Sequence, residues 1–218
     1  YQYLGVWQEN EREAAAKYGA KPGEPKFLDH ATSDGSGKKT ADGGDGKIDD
    51  ADRIYLGSSY PEIMGTFNNT ITYKDWSLSF MFDGVFNKKA VNYNRLALID
   101  PTPVEYGNLS REALYRWTPD FTDTDIPSLT SPVDSKLAIS TFCIEDASFV
   151  RLREVTLSWQ HNFASTFFLK KIRVYLTGNN LATFTKYKGL NPDIWGVDNS
   201  WNLAPITRSY VMGINLTF

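Results

Sequence analysis

Asp42, Asp45, Asp49 and Asp52 set several carboxylates within one short, glycine-rich stretch. An oxygen-rich turn of this kind can take a hard cation, and calcium is the cofactor it would suit. An EF-hand alignment with Asp45 at the fifth position puts Gly46 at the sixth, Asp49 at the ninth and Asp52 at the twelfth. The first and third positions then fall on Ala41 and Gly43, which carry no side-chain oxygen. Asp42 supplies one only if the loop bends differently, and the competing reading is a solvated turn.

A second constellation is aromatic. Tyr187, Trp195 and Trp201 lie near Asn191, Asp193, Asp198 and Asn202. Flat ring faces beside amides and carboxylates suit stacking on sugars and bonding to their hydroxyls. The alternative is that these rings pack one loop against another.

Catalytic signatures are missing from the sequence. Glu13, Glu62, Glu105 and Glu112 form no recognisable carboxylate pair, and no nucleophile elbow, phosphate loop or zinc spacing occurs. A lone Cys143 excludes an intrachain disulfide, and His30 and His161 are too far apart in sequence to suggest a metal pair. The chain is read as no enzyme. With 23 basic against 26 acidic residues the net charge is -3, which gives no footprint for nucleic acid.

The elements around these residues are strands. Trp76, Leu78, Phe80, Phe82 and Phe86 alternate with Ser77, Ser79, Met81 and Asp83. Phe67, Ile71 and Tyr73 alternate with threonines just before, and Lys74-Asp75 reads as the turn of a hairpin. From Ser148 to Trp159 the alternation slips near Glu154, which either a β-bulge or a change in which face is buried would reconcile. Further strands follow around Ile172–Gly178 and Tyr210–Phe218, the latter with an uncharged apolar face ending on an aromatic.

Strands are therefore expected at about 63–73, 75–87, 148–160, 171–180 and 207–218. The expected organisation is a strand end plus a loop with an acidic turn over 1–62, then strands over 63–218 with long loops at 88–147 and 181–206. No apolar run reaches the ~18 residues a spanning helix needs, which leaves a barrel open. Alternating short and long connections suit an outer-membrane barrel, short on the periplasmic side and long outside. Tyr73 and Trp76 at one short turn, and Phe167, Phe168 and Leu169 at the other, suit its membrane-edge girdle. A soluble carbohydrate-binding β-sandwich is the rival, since it also alternates apolar and polar positions. The chain opens on Tyr1 with no signal peptide, so a start cut from a longer protein is expected.

Several segments in order resemble the SusC/RagA family of TonB-dependent transporters. They include Gly5-Val6-Trp7-Gln8, the run Asp45–Asp52, Arg116-Trp117-Thr118-Pro119, and the block Glu145–Leu157. Gly178-Asn179-Asn180-Leu181, Gly189-Leu190-Asn191-Pro192 and the closing Gly213–Phe218 follow. The resemblance implies an all-β fold of antiparallel strands from the C-terminal part of a transmembrane β-barrel of about 22 strands, with long extracellular loops. It implies import of glycan or peptide oligomers across the bacterial outer membrane. The partners it implies are a SusD-like surface lipoprotein, TonB acting on a region N-terminal to this chain, and the barrel-assembly machinery reading Phe218. On this reading Arg151 and Arg153 line the lumen, whereas Leu78, Phe80, Ile214 and Leu216 face outer-membrane lipid.

Overall fold

The computed structural model describes residues 1–30, 44–100, 108–128, 135–163, 168–198 and 205–218. In chain order the strands are β1 (Tyr3–Val6), β2 (Pro25–Phe27), β3 (Ile63–Tyr73), β4 (Trp76–Phe86) and β5 (Lys89–Asn92). Then come β6 (Ile144–Asp146), β7 (Phe149–Asn162), β8 (Lys171–Thr185), β9 (Val197–Asp198) and β10 (Ser209–Thr217). Helices α1 (Arg12–Lys17), α2 (Tyr93–Ile99) and α3 (Ser135–Ala138) are short, and no described helix is long and apolar enough to cross a membrane.

Two compact units result. Tyr1–Gly57, Lys89–Glu145 and Ile194–Trp201 make the first; Ser58–Lys88, Asp146–Asp193 and Asn202–Phe218 make the second. The second is built on a five-stranded antiparallel sheet in the order β10-β8-β7-β4-β3. Paired residues point to the same side of a sheet, so the register assigns every side chain to a face. One face carries Phe67, Ile71 and Tyr73 from β3, and Trp76, Leu78, Phe80 and Phe82 from β4. It continues through Val155, Leu157 and Trp159 on β7, Val174 and Leu176 on β8, and Met212, Ile214 and Leu216 on β10. No Asp, Glu, Lys or Arg is paired on it. The other face carries Thr66, Asn68, Thr70, Asp83, Ser79, Thr156, Glu154, Arg151, Thr177 and Asn215.

The slip in β7 is a bulge at Arg153, which the pairing skips between Leu152 and Glu154. That one extra residue brings Val150 and Leu152 onto the apolar face with Val155 and Leu157. Opposite it, β8 skips Asn180 and Leu181, with Asn180 in the left-handed region at φ 53°. An asparagine tolerates that conformation better than most residues.

Gly213 on β10 faces Tyr175 on β8, and a Cβ there would fall 2.4 Å from the Tyr175 hydroxyl. The tyrosine ring lies over the bare backbone. Gly213→Val forces the ring off and should cost about 1–3 kcal/mol, read as a lower urea midpoint for the detergent-folded protein.

The first unit has its own core of Tyr1, Phe27, Leu96, Ile99, Ala113, Ile126, Leu137, Phe142 and Cys143. Its elements are short and individually capped. Helix α1 is alanine-rich and stops at Gly19, whose φ of 68° closes the C-terminus. Asn92 caps α2 by accepting from the Arg95 amide at 3.0 Å. The segment 88–147 thus contains folded elements and is more than a surface loop.

Candidate functional site

The two-faced sheet is the first functional feature. Its apolar face is open: Phe67, Ile71, Tyr73, Trp76, Leu157, Leu176, Met212 and Ile214 are all exposed. A stripe of rings and aliphatics this broad is unfavourable in water and natural in lipid. The polar face is cross-linked. Asp83 accepts from Thr66 Oγ1 at 3.0 Å and from Arg153 Nη1 at 2.6 Å, and the hydroxyls of Thr156 and Thr177 meet at 2.7 Å. The Lys74-Asp75 turn, the end of β7, the start of β8 and the end of β10 lie at one end of this sheet.

Arg151 is the best-connected residue of the polar face. It is 6% exposed, with its guanidinium 4.7 Å over the Phe149 ring. Its Nε donates to Thr183 Oγ1 at 3.2 Å, Nη1 to Asp193 Oδ2 at 3.2 Å and Nη2 to Asn191 Oδ1 at 3.1 Å. Buried Lys88 donates to the Pro192 carbonyl at 3.1 Å. Burial pushes the Lys88 ammonium below the ordinary lysine range, and Asp193 partly offsets this. Two cations therefore tie segment 191–193 to the sheet. The sequence placed Arg151 on the lumen side; its role as an anchor for this segment and the part played by Lys88 carried no sequence signal.

The acidic turn uses its carboxylates on its own backbone. Asp45 Oδ1 accepts from the Lys47 amide at 3.0 Å, and Asp49 Oδ1 from Ala51 at 2.8 Å. Buried Asp52 accepts from the Asp49 amide at 2.7 Å and from the His30 amide at 2.8 Å. The carboxylate overlooked in the sequence is Asp29, whose Oδ2 takes the Gly46 amide at 2.9 Å and the Tyr18 hydroxyl at 3.1 Å. Among the described residues no group of three His, Cys, Asp or Glu side chains converges as a metal site, and Asp42 lies outside them.

The aromatic candidates separate. Tyr187 is 5% exposed, packed so closely on Gly189 that a Cβ there would lie 2.3 Å from its ring, so it serves the packing of its own loop. Trp195 is 62% exposed. Trp201 and Phe167 lie outside the described residues. Phe218 is exposed beside Phe168, ring centroids 5.0 Å apart.

A cleft of about 590 Å³ in the first unit is lined by Gln8, Glu11, Lys26, Thr122, Asp123 and Asp125. Lys26 Nζ bonds Glu11 Oε1 at 2.5 Å and sits 4.5 Å from the centroid of Trp7, which stacks on Tyr18. That hydrogen bond holds the Glu11 carboxyl below its ordinary range. The lining is drawn from three distant stretches, so no sequence window contains it.

No family model matches the chain. Among curated proteins it is 29% identical, over its whole length, to TonB-dependent receptor P3 of Formosa agariphila, covering 22% of that protein. It is 25% identical to TonB-dependent receptor SusC of Bacteroides thetaiotaomicron, again over the whole chain and 19% of the relative. Among solved structures, the RagAB peptide transporter matches with TM-score 0.75 and 27% identity, over all of this chain and 22% of that one. RagAB in its closed-closed state matches with TM-score 0.74 and 28% identity, over the same shares of both chains. The chain spans about a fifth of the length of these relatives. Sequence and fold together identify it as similar, from end to end, to one segment of the SusC/RagA-type TonB-dependent transporters.

Proposed function

We propose that this chain supplies five wall strands and a folded outer unit to an outer-membrane, TonB-dependent importer of oligomeric nutrients. The observation that carries the reading is the open apolar face, uncharged across all five strands and backed by a hydrogen-bonded polar face. A β-sandwich would cover such a face with a second sheet. A barrel wall turns it to lipid and its polar face to the lumen. Among the described residues β3 and β10 are the edges of the sheet, with no strand paired beyond them, and such edges call for neighbouring strands. A closed barrel of about 22 strands is the proposed setting.

In that setting the short turns are periplasmic, the long loops are extracellular, and a SusD-like lipoprotein would cover the cargo. Trp195 is the proposed stacking surface for a glycan or peptide, and Phe218 a part of the assembly signal. TonB would act through sequence N-terminal to this segment.

Detergent dependence tests the reading. Residues 1–218 alone in plain buffer should aggregate, and co-folding with the upstream chain in detergent should give a β-rich, heat-resistant species. A soluble monomer with a cooperative melt in buffer would sink the barrel reading and promote the sandwich.

A further inference from the structure

We infer a seat for one glycerophospholipid on the apolar face, at the end of the sheet where the short turns lie. The inference rests on the transmembrane reading above. Along one rung Trp76, Trp159, Val174 and Ile214 are cross-strand neighbours; along the next are Leu78, Leu157, Leu176 and Met212. Val174 is small between the Trp159 indole and Ile214, so the surface dips there. The resulting groove, about 370 Å³, is lined by Trp76, Trp159, Leu157, Val174, Leu176 and Met212. Its lining is almost wholly apolar, which suits an acyl chain.

The rim supplies the complementary charge. Lys74 is exposed in the turn that precedes Trp76, and its ammonium lies 5.4 Å from the centroid of Tyr73, the ring paired with Trp76. The positive charge is thus held on the apolar side of the turn, at the height where amphipathic rings mark a membrane interface. The neighbouring Asp75 carboxylate faces His161 Nδ1 at 3.3 Å, and that imidazole stacks flat on Trp159. Lys74 comes two residues before Trp76, one of the rings that line the slot, which fits a lipid whose chain fills the slot and whose phosphate meets the ammonium.

The test uses the full-length protein that carries this segment, purified in detergent and examined by native mass spectrometry with added phosphatidylglycerol or with diacylglycerol of the same chains. Wild type should retain phosphatidylglycerol, and Val174→Phe, which fills the slot, should lose it. Lys74→Gln, in an exposed turn, should cut its retention roughly fivefold and leave diacylglycerol unchanged. Equal phosphatidylglycerol retention by wild type and both variants, each still migrating as a folded barrel, would overturn the seat. Equal retention of diacylglycerol and phosphatidylglycerol by wild type would overturn the phosphate assignment. If wild type forms no detergent-dependent barrel, the transmembrane reading itself fails, a result distinct from a folded barrel that holds no lipid.

Discussion

Phe80→Arg should lower the stability of the detergent-folded transporter by about 2–4 kcal/mol, whereas Ser79→Arg, one residue away, should change it by less than about 1 kcal/mol. Phe80 lies near the middle of β4 on the apolar face, with Phe67 and Phe82 ring centroids 6.2 and 5.9 Å away. A guanidinium there has no partner on its own face, since none of the paired residues is acidic. It must be drawn into the hydrocarbon or snorkel out of it, and the cost is depth-dependent. Ser79 pairs with Thr70 and Thr156 on the hydrogen-bonded face, where an arginine meets water or acidic neighbours. Urea midpoints in lipid vesicles check both. Equal costs at the two positions would mean that the sheet has no lipid side, and would return the chain to a soluble fold.

Arg95→Met should destabilise the first unit by about 3–5 kcal/mol, the range for removing one partner of a buried ion pair. Arg95 is held by Glu112 through Nε at 3.0 Å and through Nη2, and donates from Nη1 to the Phe142 carbonyl at 2.8 Å. Its guanidinium lies 4.3 Å from the Phe142 ring centroid, and Glu145 is 3.8 Å away. Burial alone would lower the Arg95 pKa; Glu112 and Glu145 outweigh it and hold the group above its ordinary value. Methionine keeps much of the volume but removes the guanidinium's bonds to Glu112 and to the Phe142 carbonyl. The expected result is rapid limited proteolysis within 89–145 while the wall strands still migrate as a folded barrel. Resistance equal to wild type would show that the apolar core of this unit suffices without the arginine.

The wall was legible because each strand meets two uniform surroundings, so alternation along Trp76–Phe86 or Tyr210–Leu216 maps directly onto faces. Even the parity slip near Glu154 pointed to a bulge, which the structure puts at Arg153. Strand β8 was harder. The expected strand stops at about residue 180, yet the left-handed Asn180 lets the strand skip two residues and continue to Thr185. The first unit left almost no trace, because its core draws single residues from Tyr1, Phe27, Ile99, Ala113 and Phe142, with no period to detect. Asp29 illustrates the same limit for the acidic turn, since it reaches Gly46 across a sequence separation of 17. The aromatics of the last loop could be named from composition, but only packing separates buried Tyr187 from exposed Trp195.

The first unit's core has a consequence for the order in which the chain can assemble. Its halves lie on either side of the β3–β4 hairpin in sequence: the Tyr1 backbone nitrogen bonds the Ile139 carbonyl across a separation of 138 residues, and the Tyr3 amide bonds the Thr141 hydroxyl. Contacts so remote in sequence carry a large loop-closure cost and slow the step that forms them. The β3–β4 hairpin, by contrast, closes through a two-residue turn. Closure of the first unit is therefore expected to be the slower event, and until it occurs its two halves stay open to proteases.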